Sequence, residues 1–208
     1  LIEYRDLSSV DLLKTYQVEL GIPVLPVLCQ RLNSAHEIIE KMGEVMAEPK
    51  YDGLRVQIHI NKENFADSGL SYKAFTRNLE DVTHMFPELA EVVKALKVKN
   101  CILDTEAIGI DKKTGRFLPF QETIQRKRKH GVDAKALEVP LCFYAFDLIL
   151  LDDYVLIDEG LLSRKNKLAT VLIDSVFVKK TTYSLINDLN KLKAFHKEQL
   201  KLCEEGAV

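Results

Sequence analysis

The chain has 208 residues, enough for one large or two small domains with a substantial core, and its 47% hydrophobic and 29% charged content describes a soluble globular protein. A formal net charge of −2 and a pI near 6.3 exclude a global electrostatic attraction to nucleic acid, so any such contact has to come from local patches. No run reaches the roughly 18–20 apolar residues of a membrane-spanning helix, and Cys29, Cys101, Cys142 and Cys203 are too scattered for a zinc set or a disulfide framework, so they read as reduced, mostly buried thiols in an intracellular protein.

Residues 1–20 read as the weakly helical tail of a preceding domain. Gly21-Ile22-Pro23-Val24-Leu25-Pro26-Val27 follows as an extended approach, because the residues before Pro23 and Pro26 are pushed away from helix. Ser34 is the N-cap of a helix running to about Met46, with Ile38, Ile39 and Met42 on one face.

Glu48-Pro49-Lys50-Tyr51-Asp52-Gly53-Leu54-Arg55 then leads into an alternating run in which Leu54, Val56, Ile58 and Ile60 share one parity and Arg55, Gln57 and His59 the other, the signature of a half-buried strand. Lys50 sits at the mouth of that strand, and Gly53 permits close approach of a ligand. A free lysine titrates near ~10.4, so Lys50 becomes a nucleophile only where neighbouring cations outweigh Asp52. Arg55, a second arginine or a metal arriving with a nucleotide would serve. The plain alternative is a surface Lys–Asp pair.

Residues 61–68 form a hairpin connection, and Leu70–Thr76 returns as a strand that delivers Arg77, either to the same cleft or to solvent. Pro87 opens a short amphipathic helix ending at Lys97. Residues 101–110 are a strand interrupted by Asp104 and Glu106, acids that need a partner: a sugar hydroxyl, a metal or an arginine. Pro119–Lys129 reads as a helix whose end, Arg126-Lys127-Arg128-Lys129, is either a solvated face or a phosphate-backbone contact. Residues 141–151 form a central strand with Phe143 and Phe146 on opposite faces, one of them available as an aromatic wall for a purine. Ser163 caps a helix to about Leu172 that carries Arg164, Lys165 and Lys167. A strand at Val176–Val178 follows, then a long amphipathic helix through Leu185, Leu189, Leu192, Phe195, Leu200 and Leu202.

Five blocks in this order, Glu-Pro-Lys50-Tyr-Asp-Gly-Leu-Arg55, Phe75-Thr-Arg77-Asn, Leu103-Asp-Thr-Glu106, Gln125-Arg-Lys-Arg-Lys129 and Phe143-Tyr-Ala-Phe146-Asp-Leu, resemble the nucleotidyltransferase domain of ATP-dependent DNA ligases of the archaeal and eukaryotic type. The resemblance implies an α+β, ATP-grasp-like fold of two antiparallel-rich sheets flanked by helices, with the nucleotide between them. It implies that Lys50 attacks the α-phosphorus of ATP and carries AMP to the 5′-phosphate of a nick. Glu48 would contact adenine, Phe146 would stack on it, Glu106 would take the ribose hydroxyl and is a possible metal ligand, and Arg55 and Arg77 would face phosphate. Arg126, Lys127, Arg128 and Lys129 become DNA-contact candidates, and Mg²⁺ the expected metal.

On this reading residues 1–20 are a linker from a DNA-binding domain and 21–208 the adenylation domain, truncated at its C-terminus, with the family's next glutamate-containing block and later pair of lysines expected just beyond Val208, Glu204-Glu205-Gly206 as the lead-in to them, and the oligonucleotide-binding-fold domain absent. The chain is then expected to be a monomer away from membranes, in the cytoplasm of a prokaryote or a nucleus, to act on nicked duplex DNA, and to adenylate Lys50 poorly by itself. Two alternatives stand beside it: an RNA ligase or mRNA-capping guanylyltransferase, and a non-catalytic nucleic-acid-binding domain, which would have no need of a nucleophile.

Overall fold

The computed structural model describes residues 18–27, 29–128, 130–202 and 205–208. Its elements are α1 (Ala35–Met42), β1 (Val45–Ala47), β2 (Leu54–Asn61), β3 (Tyr72–Thr76), α2 (Leu89–Lys94), β4 (Asn100–Gly109), α3 (Phe120–Thr123), α4 (Val132–Glu138), β5 (Leu141–Leu151), β6 (Tyr154–Val155), α5 (Leu161–Val171), β7 (Val178–Lys180), β8 (Ser184–Ile186) and α6 (Leu189–Leu202). Two sheets result, as the α+β expectation required. The larger has six strands in the order β3-β2-β4-β5-β6, with β7 also on β5, and every pairing is antiparallel except β5 with β7. The smaller pairs β1 with β8.

One face of the large sheet carries the main core. Val56, Ile58 and Ile60 of β2, Leu103 of β4 and Phe143, Ala145 and Leu148 of β5 pack with Phe86, Leu89 and Val92 on one side and, on another, with Leu168 and Val171 of α5 and Leu172 just after it. Each such fully buried aliphatic side chain contributes about 1.5–3 kcal/mol. The small sheet has its own core, Val45, Ala47, Ile186 and Leu192, covered by Ala35, Ile38 and Ile39 of α1 and Phe195 of α6.

Ser34 caps α1 as its sequence position requires, its hydroxyl accepting from Glu37 N at 3.1 Å. The helix stops earlier than Met46, however. Gly43 adopts a φ of 70°, the chain turns, and residues 45–47 become β1, while Met42 faces solvent. The long C-terminal helix likewise gives up its first turn to β8, which places Leu185 on a strand. The described part of the expected helix at 119–129, residues 119–128, yields only α3 and a 3₁₀ turn over Ile124–Arg126. Short apolar segments of this kind are ambiguous in sequence, and the partner strand decides. Cys101 and Cys142 are buried but Cys29 is exposed. Cys203 and all but the end of the N-terminal tail lie outside the described residues. No helix among the described residues is long and apolar enough to cross a membrane.

Candidate active site

Lys50 stands where the two sheets meet. Its backbone N–H donates to Gly206 O at 2.9 Å, Pro49 bridges Ala207, and Glu48 exchanges hydrogen bonds of 2.7 and 2.9 Å with Val208, so residues 48–50 and 205–208 run antiparallel. This brings Glu205 to the Lys50 side chain as an ion-pair partner, with both groups close to half-exposed. Three residues on, Gly53 is required by packing. A Cβ there would lie 2.5 Å from Ala107 O and 3.1 Å from Glu106 Cγ, so β4, rather than a ligand, makes the close approach.

On the face of β2 opposite the core, Arg55 lies across from Glu106 and Gln57 across from Asp104. Arg55 reaches diagonally to Asp104 and holds it bidentately, at 3.0 Å from Nε and 2.5 Å from Nη2. This resolves the open choice for Asp104 in favour of an arginine. Burial disfavours the Arg55 charge, but Asp104, Glu106 and Asp147 together outweigh it and hold the guanidinium above its ordinary range. The guanidinium carbon also sits 5.2 Å from the centroid of the Phe146 ring.

Phe146 sits at a β-bulge. Asp104 pairs with Asp147 and Thr105 with Ala145, leaving Phe146 as the extra residue, and a second shift leaves Ile149 unpaired in the same way. Phe143, by contrast, is a core residue, edge-on to Phe86 at 5.8 Å. Asp147, next to the bulge, is held by Arg164 of α5 at 2.8 and 2.9 Å.

Glu106 feels burial first. Desolvation, with a contribution from Asp104, lifts its carboxyl to about 7 against the pull of Arg55, Lys50 and the Gly53 N–H. Glu48 is tied down from behind: Lys165 of α5 donates to its Oε1, and Thr181 Oγ1 donates to the same oxygen at 2.7 Å. Lys165 also donates to Thr181 at 2.9 Å, and its burial lowers the pKa of its ammonium even beside Glu48. Arg164, Lys165, Thr181 and Glu205 are site residues that sequence reasoning misses. The first two register only as charges at a helix start, Glu205 only as part of the Glu204-Glu205-Gly206 stretch with no role assigned, and nothing local marks Thr181.

Arg77 joins Arg55, Gln57, Thr76 and Asp104 around a small cavity closed by Val24 and Pro26. The extended approach thus lies on the polar face of the sheet. Val24 N–H donates to Gln57 Oε1 at 2.7 Å, Gln57 Nε2 donates to Val24 O at 3.2 Å, and Gly21 N–H donates to His59 Nδ1 at 3.0 Å. His59 Nε2 therefore carries the hydrogen and donates to Gln57 Oε1 at 2.9 Å. Burial, with Lys73 nearby, lowers this imidazole to about 3. A strand expected to be half-buried is covered on both faces.

The basic run divides. Arg126 is not on the surface. It is fully buried, pairs with Glu88 at 2.6 and 2.9 Å, and donates to Val139 O and Met85 O at 2.8 and 3.2 Å. Its assignment as a DNA contact is corrected, since a guanidinium with no exposed surface cannot meet a phosphate. Lys127 is exposed and pairs with Glu80 at 3.1 Å, Arg128 is exposed, and Lys129 lies outside the described residues. Among the described residues no group of three His, Cys, Asp or Glu side chains is arranged to hold a metal by itself. A surface depression lined by Asp67, Leu70, Lys73, Asp81 and His84 includes none of the site residues.

A profile described as the ATP dependent DNA ligase domain matches residues 26–208. Among curated relatives, DNA ligase 2 of Korarchaeum cryptofilum is 40% identical over 194 residues, 92% of this chain and 32% of that protein, and the probable DNA ligase of Dictyoglomus turgidum is 37% identical over 202 residues, 97% of this chain and 34% of that protein. The chain therefore spans about a third of the length of these relatives. Among solved structures, mycobacterial DNA ligase D complexed with ATP and MES superposes with a TM-score of 0.53 at 23% identity, covering 78% of this chain and 46% of that one. The Chlorella virus DNA ligase-adenylate gives 0.51 at 18% identity, covering 88% and 57%. At such identities the superpositions establish the fold, and the sequence matches establish membership: the chain belongs to the ATP-dependent DNA ligase domain family.

Proposed function

We propose that this chain is the adenylation core of an ATP-dependent DNA ligase working on nicked duplex DNA in an intracellular compartment, and that residues 21–208 form its nucleotidyltransferase unit, entered through the linker at 1–20. The single observation that carries this reading is the placing of Lys50, Glu48, Arg55 and Glu106 at one junction of the two sheets, inside a chain of the ligase domain family. Lys50 Nζ, once free of Glu205 and deprotonated, attacks the α-phosphorus of ATP. A P–N bond forms, the bond to pyrophosphate breaks, and pyrophosphate leaves. An oxygen of the 5′-phosphate at the nick then takes the adenylyl group, breaking the P–N bond, and the 3′-hydroxyl displaces AMP to form the phosphodiester.

Glu48 meets the adenine edge, Phe146 offers the adenine the ring face that Arg55 leaves open, and Glu106 accepts from the ribose. Arg55, held rigid by Asp104, and Arg77 face phosphate, while Lys127, Arg128 and Lys129 remain the candidates for the DNA backbone. Mg²⁺ usually binds through one or two carboxylates plus substrate phosphates, which suits Glu106 and Glu205 beside a nucleotide better than a cage of protein ligands; it would neutralise the developing phosphate charge.

The test uses the gene product that contains this chain. Incubated with ATP and Mg²⁺, it should gain the mass of one AMP and seal nicked DNA, and Lys50→Ala should lose the adduct while keeping its fold, because Lys50 is half-exposed and little packing depends on it. Ligation that survives in Lys50→Ala would sink the mechanism. Faster sealing of nicked RNA, or a GMP adduct with GTP, would favour the RNA-ligase or capping alternative.

A further inference from the structure

Lys165, Thr181 and Glu48 close a triangle that the steps above leave unexplained. The Lys165 side chain is 3% exposed and that of Glu48 12%. An ammonium has only donors, so Thr181 Oγ1, at 2.9 Å, accepts from Lys165 and turns its own hydrogen to Glu48 Oε1 at 2.7 Å, while Lys165 donates to that same oxygen. Both donors converge on one carboxylate oxygen, and no hydrogen bond among the described residues engages Oε2. The main chain is fixed as well, because Glu48 is paired in both directions with Val208. A cation buried beside a carboxylate is costly unless its neighbours satisfy it, and here a third residue is spent on orienting one acid.

We infer, on the ligase reading above, that Lys165 and Thr181 are positioning residues that set the base selectivity of the nucleotide site, holding Glu48 as an acceptor whose open oxygen takes the 6-amino group of adenine and repels O6 of guanine. An acceptor aimed at an amino group gains a hydrogen bond with adenine. With guanine it meets a second acceptor, and mismatched buried polar groups of this kind discriminate far more sharply than shape alone. Selectivity therefore depends on Glu48 being unable to rotate away, and that restraint comes from α5 and the residue just after β7, outside the five sequence blocks.

The test compares lysyl-nucleotide formation with ATP and with GTP in the gene product that contains this chain. In Thr181→Val the ratio of kcat/KM for ATP over GTP should fall by about tenfold, chiefly through a higher KM for ATP, and Thr181→Ser, which restores the hydroxyl, should recover it. Lys165→Met should lower the ratio further, by roughly a hundredfold. Should that variant fail to fold, judged by its circular dichroism melt, the threonine pair decides alone. A role in stability only would slow both nucleotides equally, so equal losses in Thr181→Val, or no recovery in Thr181→Ser, overturn the inference while the ATP adduct of the wild type stands. A wild type that forms no adduct with ATP removes the ligase reading itself, and the inference with it.

Discussion

Glu106 is the residue at which the physics of the site is most exposed to test. Its carboxyl titrates at about 7 in the folded chain because burial penalises the charge more than Arg55 and Lys50 relieve it, against about 4.3 in an unfolded chain. Between those values the folded state binds the extra proton. The group's contribution to stability is therefore fully present below about pH 4 and is lost as pH rises through 7. Glu106→Gln carries no charge to penalise. It should melt a few degrees above wild type at pH 8, at roughly 2–4 °C per kcal/mol for a chain of this size, and together with wild type near pH 4. Calorimetric melts across that range check it, and equal melting points at pH 8 would show that Glu106 is not desolvated.

The same reasoning separates Asp104 from Glu106, which one strand places two residues apart on one face. Asp104 has Arg55 as a bidentate partner, whereas Glu106 has the backbone of Gly53 and more distant charges. One is committed to holding an arginine, and the other keeps oxygen atoms for a ligand.

At the scale of elements, β5 does what no periodic pattern announces. Its near-continuous apolar run marks it as a central strand, and it spans the boundaries read from sequence. The bulge at Phe146, though, breaks the alternation that runs from Phe143: it sets Asp147 opposite Asp104 and returns Leu148 to the core, and a bulge depends on the register of a partner about 40 residues away. The pairing of β2 with β4 rests similarly on Gly53. Gly53→Ala should force the strands apart next to Ala107, lowering stability by about 1–3 kcal/mol and slowing Lys50 adenylation by shifting Glu106. Gly160→Ala, where a Cβ meets nothing within 4 Å, should cost under about 1 kcal/mol. Urea denaturation of the two variants, with adduct formation followed by mass, distinguishes them, and equal stability losses would mean that the tight contact at Gly53 does not hold in solution.

Over the whole molecule, Arg126 ties the 3₁₀ turn after α3 to the segment before α2. It joins Glu88 and two backbone carbonyls in the interior, and its Nε meets no hydrogen-bond partner among the described residues. Removing one member leaves a buried charge uncompensated, so Arg126→Met should cost about 3–5 kcal/mol, and adding Glu88→Leu should recover most of it. Nicked-DNA affinity measured against salt gives the complementary reading. Lys127→Ala and Arg128→Ala should each reduce the salt slope by about 0.9 for every phosphate the side chain neutralises, and Arg126→Met should leave it unchanged. A reduced slope in the folded Arg126→Met variant would return that residue to the DNA surface.

Neighbouring residues carry enough information for the alternation that makes β2, the Ser34 cap, the apolar run of β5, and the lysine block that resembles the ligases. Each rests on interactions spanning a few positions, so local chemistry suffices. Which charges pair is settled only in three dimensions. The partner of Asp104 is 49 residues away, that of Arg126 38, and Glu48 takes donors 117 and 133 residues downstream. An isolated arginine or lysine reads the same whether it meets phosphate or a buried acid. Only the fold, by excluding water from one and leaving the other exposed, makes the first a structural ion pair and the second available to a ligand.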